Sequence, residues 1–262
     1  GRSQFGSVVR QMTPAYINDG VNSVERLLAN MDFAQVAGAV VTQEYIDGNQ
    51  DAYLRQVRQA HPLRLRVSAL YEEKPLGDIS WADGIKICAG RLADQDLTHH
   101  AEAFRRAAAE DKFIGLDLAD GDTQTASLRE MIQQYPNVRM AIGHFGMVTT
   151  PGWQEQIRLA RYPNVFVESG GITWLFNSEF YPYPSAVRAI LEARDICGME
   201  KLMWGSDYPR MTAITYRMSW DFVDKSPLLT PEEKQLFFHR NSESFYRFHD
   251  LPDMPYIHHM AE

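Results

Sequence analysis

The chain has 262 residues, 45% hydrophobic and 23% charged, with a formal net charge of −8. That balance suits a globular protein with a large core, and the acidic surplus, unbroken by any Lys/Arg run, argues against nucleic-acid partners. No apolar stretch approaches the roughly 18 residues of a membrane span, and no signal-peptide pattern opens the chain, so a cytoplasmic protein is expected. Cys88 and Cys197 lack metal-type spacing and read as two reduced thiols rather than a disulfide.

Residues 1–20 read as an irregular polar loop. Asn22-Ser23-Val24-Glu25 then opens a helix, with Asn22 as cap and Glu25 three residues on, and Val24, Leu27, Leu28 and Met31 recur at helical spacing. A strand is expected at Ala39–Val41, a helix over Asp51–Ala60 ending before Pro62, and an extended run at Leu65–Leu70. Further strands fall at Gly84–Ile87, Phe113–Leu118, Val138–Ile142, Val165–Val167 and Leu202–Trp204. Between them, helices are expected at Thr98–Ala109, Ala126–Gln134, Gln154–Arg161 and Ser185–Arg194, the last closed by Gly198. Thr230-Pro231-Glu232-Glu233 starts a final helix, with a capping threonine, proline at the first position and acids in the first turn.

Tyr135-Pro136-Asn137-Val138 recurs as Tyr162-Pro163-Asn164-Val165, each copy leading from a helix into a strand, as a repeated βα unit would. Alternating strands and helices imply a parallel α/β sheet. The seven strands are one short of a (β/α)₈ TIM barrel. The competing open, doubly wound sheet normally carries a Gly-rich phosphate loop, and none occurs.

Two strand endings carry chemistry. The run Met203-Trp204-Gly205-Ser206-Asp207-Tyr208-Pro209-Arg210 delivers a carboxylate, and Ile142-Gly143-His144-Phe145-Gly146 an imidazole, to what would be the active rim of a barrel. Asp207 is the candidate general base for an attacking water, against a plain turn residue before Pro209. His144 would polarise a carbonyl or steady an oxyanion, against a core histidine bonded to a backbone carbonyl. Lys86 and Arg210 could hold a substrate carboxylate, or be a solvated lysine and a surface ion pair. Asp117 is divided evenly between site and scaffold, whereas Asp120 and Asp122 read as turn or capping acids. Trp174, in an aromatic-rich loop, is the candidate pocket wall. His99 and His100 read as surface residues, and His258 and His259 as part of a docking arm.

The two endings resemble the sixth- and eighth-strand signatures of the amidohydrolase superfamily, in its amidohydrolase 2 branch of metal-dependent hydrolases, lactonases and non-oxidative decarboxylases. Gly84-Ile85-Lys86 resembles the family's fourth strand and Asn241–Phe248 its closing helix, so the likeness spans nearly the whole chain. It implies one amidohydrolase-like barrel domain over residues 1–262 with its first strand missing from this chain. It also implies a hydrolase that attacks a small carboxylated or lactone-type substrate with activated water. The alternatives are a decarboxylase of a small unsaturated or aromatic acid, and a non-catalytic ligand-binding descendant. A divalent metal such as zinc is implied, with Asp207 and Asp117 as ligands. Two departures weigh against tight zinc: no His-X-His pair precedes Val41, and Asp117 stands where the fifth strand usually ends in histidine. The expected partner is a small-molecule substrate, with neither nucleic acid nor membrane, and a homo-oligomer stays open alongside a monomer.

Overall fold

The structure, a computed structural model, describes residues 22–211 and 214–254. The expectations for residues 1–20, His258 and His259 lie outside them. The first helix, α1 (Val24–Phe33), begins after Ser23, which takes the N-cap position expected of Asn22. Its buried Met31 packs with Leu54, Val57, Leu65 and Val67.

Seven strands follow: β1 (Ala39–Val41), β2 (Leu65–Leu70), β3 (Gly84–Ile87), β4 (Phe113–Leu116), β5 (Met140–Ile142), β6 (Val165–Glu168) and β7 (Leu202–Met203). All neighbours pair in parallel, in the order β1-β2-β3-β4-β5-β6-β7. A doubly wound sheet would reverse direction at a switch point, whereas this sheet always adds the next strand on the same side, as a barrel does. Among the described residues β1 and β7 do not pair, so the sheet is an incomplete (β/α)₈ barrel. The connecting helices are α2 (Asp51–Ala60), α3 (Ala101–Ala109), α4 (Thr125–Gln134), α5 (Trp153–Arg158), α6 (Ile172–Leu175), α7 (Pro184–Cys197), α8 (Met218–Asp224), α9 (Pro231–Gln235) and α10 (Asn241–Tyr246). No helix of the described residues is long and apolar enough to cross a membrane.

The pleat sorts the side chains, because alternate residues of a strand face opposite sides. Ile114, Leu116, Ile142, Val165, Val167 and Leu202 join the cluster formed with the surrounding helices. The intervening positions Phe113, Ala141, Phe166 and Met203 form a separate cluster with Phe245 and Tyr246 of α10. Two residues further along that second face stand Gly115, Gly143, Glu168 and Gly205, and two beyond Gly115 stands Asp117. The face that packs aromatic rings at one end of the sheet therefore presents charge at the other.

Local signals account for the element ends. Thr230 and Glu233 form a reciprocal capping box at the start of α9, and Gly198 ends α7 with φ +90°. The expected helix Thr98–Ala109 divides into a 3₁₀ turn, Leu97–His100, and α3. That turn corrects the surface reading of His100, which is buried: Tyr71 Oη lies 3.0 Å from Nδ1, and Nε2 lies 2.7 Å from the Asp94 carbonyl. His99 is exposed. Asp120 and Asp122 act through their backbone carbonyls, which accept from the Thr123 and Thr125 hydroxyls, rather than as side-chain caps. Both cysteines are free thiols, and burial pushes each up to about 12.

Candidate active site

Parallel strands bring their C-terminal ends to one rim, and that register gathers the chemistry. Lys86 is in β3, Asp117 follows β4, His144 lies two residues beyond β5, Glu168 ends β6 and Asp207 lies past β7. All five line one cavity of about 1370 Å³, together with Glu44, Trp174 and Arg210.

The charges inside are organised in two groups. Lys86 Nζ lies 2.5 Å from Asp117 Oδ1, and His144 Nε2 lies 3.5 Å from Asp117 Oδ2. Burial resists ionisation of Asp117, but Lys86 and then His144 outweigh it and hold the carboxyl well below the usual range. Burial likewise works against the Lys86 charge, and Asp117 again reverses the result, holding the ammonium above its ordinary range. Burial also opposes the His144 imidazolium, yet the Asp117 hydrogen bond and charge lift it to about 9. The other ring nitrogen, Nδ1, sits 2.9 Å from the Gly170 carbonyl and so must carry hydrogen, which fixes the ring.

Asp207 belongs to the second group. Its backbone carbonyl accepts from Arg210 N–H at 2.7 Å, which makes it a turn residue in part. Its carboxylate does something else: Oδ2 accepts the Trp174 indole N–H at 2.8 Å. Burial raises its pKa, and His144 and Trp174 only partly offset the rise. Trp174 also meets the His144 ring edge-on, with centroids 5.6 Å apart, so one indole touches both candidate catalytic groups.

Backbone strain coincides with these residues. His144, Phe145 and Asp207 lie in the left-handed region at φ 51°, 51° and 55°. Such conformations cost about 1–3 kcal/mol each in unfavourable cases, with aspartate better tolerated than most, and persist where the surroundings fix them.

The glycines of the two motifs have a steric reason. A Cβ on Gly143 would meet Asp117 Oδ1 at 2.4 Å and Glu168 Oε1 at 3.0 Å, and one on Gly205 would meet Glu168 Oε2 at 2.4 Å. Glu168 accepts the His144 backbone N–H at 3.2 Å and the Gly170 N–H at 2.8 Å. It thereby fixes the backbone on which the histidine stands.

The structure refines the proposed anchors. Lys86 is neither solvated nor free, because Asp117 holds it. Arg210 forms an ion pair with Asp47 at 2.7 Å while lining the cavity. Two residues were missed by sequence reasoning, Glu168 and Glu44. Glu168 could have been found as the acid directly following Val165–Val167, the counterpart of Asp117. Glu44 lies three residues beyond β1 in an unremarkable polar turn. Of the expected metal pair, Asp117 falls into a donor cluster with Glu44 and His144, all within 4.8 Å of one another, and Asp207 is not among them.

The profile of the family described as Amidohydrolase matches residues 122–248, the segment that carries His144, Glu168 and Asp207. Over that segment the amidohydrolase 2 resemblance of the two motifs holds. Among solved structures, the chain is similar to a probable 2-pyrone-4,6-dicarboxylic acid hydrolase from Acinetobacter baumannii with citric acid bound, at 18% identity and a TM-score of 0.70, covering 86% of this chain and 89% of that one. It is also similar to a zinc-bound amidohydrolase from Burkholderia multivorans, at 16% identity and 0.67, covering 87% and 88%. The 5-carboxyvanillate decarboxylase of Sphingomonas paucimobilis follows at 14% identity and 0.62, covering 90% and 86%. Likeness at these identities is one of fold. No curated protein matches the sequence.

Proposed function

We propose that the protein is a hydrolase that opens a small lactone-type or related carboxylated substrate by attack of water activated at Asp207. The observation that carries this reading is the state of Asp207: a buried carboxylate of raised basicity, held at Oδ2 by a neutral donor, which leaves Oδ1 to take a proton from water. His144 is the partner for the carbonyl. Its ring is fixed through Nδ1, and the 3.5 Å separation of Nε2 from Asp117 leaves that N–H only weakly engaged and able to share its proton with a developing oxyanion. The Lys86 ammonium behind Asp117 keeps the acid ionised and the local field positive where negative charge develops. Trp174 supplies an apolar wall that keeps bulk water from Asp207.

A second reading, decarboxylation of a small unsaturated or aromatic acid, has one observation in its favour. Glu44 Oε1 is buried without a hydrogen-bond partner, and Glu44, Asp117 and His144 offer two oxygens and a nitrogen within 4.8 Å of one another. That donor set fits a divalent ion such as zinc or manganese. These three residues would hold it, and when bound it would supply a Lewis acid for a carbonyl or carboxylate oxygen.

The test is a panel of carboxylated lactones and aromatic acids offered to chelator-treated and to zinc- or manganese-loaded protein, with acid release and CO₂ followed separately. Lactone opening that Asp207→Asn abolishes supports the first reading. CO₂ release without lactone opening overturns it and establishes the second.

A further inference from the structure

At the N-terminal ends of the strands, opposite the site, a second cavity of about 310 Å³ is lined by Arg58, Arg66, Lys112, Arg139 and Arg247, with Asp83 and Asp111 as its two carboxylates. These cations come from α2, β2, the turns entering β4 and β5, and the residue after α10. Arg58 takes both oxygens of Asp83, at 2.7 and 3.0 Å, and Arg66 approaches the same carboxylate at 3.8 Å. Arg247 pairs with Asp111, which Arg139 approaches at 4.0 Å. Among the described residues Lys112 donates to the carbonyls of Ala82 and Ser80 and to no carboxylate.

Carbonyls satisfy donors but carry no charge, so among the described residues five cations face two carboxylates, an excess of three positive charges in the lining. The crowding is felt: burial first, and then the neighbouring Arg247, lower the pKa of Arg139. For Arg66 burial again leads, and Arg58 adds to it against the opposing pull of Asp83. In a chain of net charge −8 this excess is no background property. Guanidinium forks match tetrahedral oxyanions, and a dianion would cancel most of the excess where a monocarboxylate would leave two charges. The volume suits a small ligand.

We propose that this lower cavity binds a phosphate group, as free phosphate or as a small phosphomonoester. The bound group bridges β2, the strand entries and the residue after α10, and stabilises the folded chain by linkage.

The experiment is calorimetric titration of the full chain with inorganic phosphate and with glycerol phosphate, at ionic strength held constant with potassium chloride, alongside thermal melts. One saturable site and a raised Tm are expected. The preferred titrant identifies the source of the group. Lys112→Gln and Arg247→Gln should each weaken binding about tenfold or more, the usual value of a charge-assisted hydrogen bond, while Arg210→Gln at the other end should leave it unchanged. Arg247 is half exposed, so its variant tests the site with little risk to the fold. Absence of saturation up to ~20 mM, a weak limit for a built site, overturns the proposal. So does binding that survives both lower substitutions or is lost with Arg210→Gln, since it then lies elsewhere.

Discussion

Two aspartates stand at the ends of β4 and β7 around one cavity, and they are in opposite electrostatic states. Asp117 has a lysine at 2.5 Å and a histidine at 3.5 Å, and its carboxyl is held far down. Asp207 accepts an indole N–H at 2.8 Å, and burial drives it up further than the more distant His144 charge and that hydrogen bond bring it down. Asp117 directly follows β4 and Asp207 stands four residues past β7, yet the residue type and the cavity are the same, so the difference in state comes from the neighbours. A carboxylate saturated by cations is a poor base and a good organiser of charge, whereas one left with a neutral donor is the stronger base.

The comparison breaks most sharply at Asp207. Asp207→Asn keeps shape but removes the proton acceptor, and should cost about 10²–10⁴-fold in kcat. Because the folded-state pKa is raised, the ionised side chain detracts from stability above the unfolded carboxylate pKa, and this penalty disappears as pH falls through the raised value. The amide should therefore melt no earlier than the parent in scans at pH 7. A variant that melts early with full activity would make Asp207 a turn residue only.

Asp117→Asn should do the reverse. It leaves the buried Lys86 ammonium without its counter-charge, and loss of one partner of a buried pair costs about 3–5 kcal/mol, read from urea unfolding. Unchanged stability would mean that Glu168 balances the Lys86 charge in place of Asp117.

The smallest effect sharpens the contrast. Trp174→Phe retains the wall and removes the one hydrogen bond that lowers the Asp207 pKa, worth about 1.5–3 kcal/mol as a bond to a charged group. The acid limb of the kcat profile should move to higher pH. A profile that does not move would show that the indole merely packs.

The alternation of β and α was legible because period and punctuation agree: all seven strands form where apolar runs stand between turn signals, the first three with the expected ends and the other four with one end shifted by one or two residues. That Asp207 and His144 meet at one cavity was legible for the same reason, since a strand ending marks a rim. What could not be read was pairing. Nothing adjacent to Lys86 or Asp117 in sequence says that each neutralises the other across β3 and β4. Glu44 reaches the site by way of a turn, which has no period to follow. His100 was misread because a 3₁₀ turn shifts the face that a continuous α-helix would have presented. The lower cationic cavity was equally invisible: its five cations never form a run, and only the register of β2, β4 and β5 assembles them.

The Glu168 carboxylate fills the room that a side chain at Gly205 would have taken, and shares with Asp117 the room at Gly143. The two motifs are thus halves of one socket, one contributed by β5 and the other by β7, with a third strand supplying the plug. A change at either glycine presses on Glu168, and one at Gly143 presses on Asp117 as well, so the costs of the two changes do not sum as those of separate sites would. Drift in this chain is therefore constrained jointly: a larger residue at position 205 is tolerable only with a shorter one at position 168, and Gly143 inherits whatever space that exchange leaves while Asp117 still limits it.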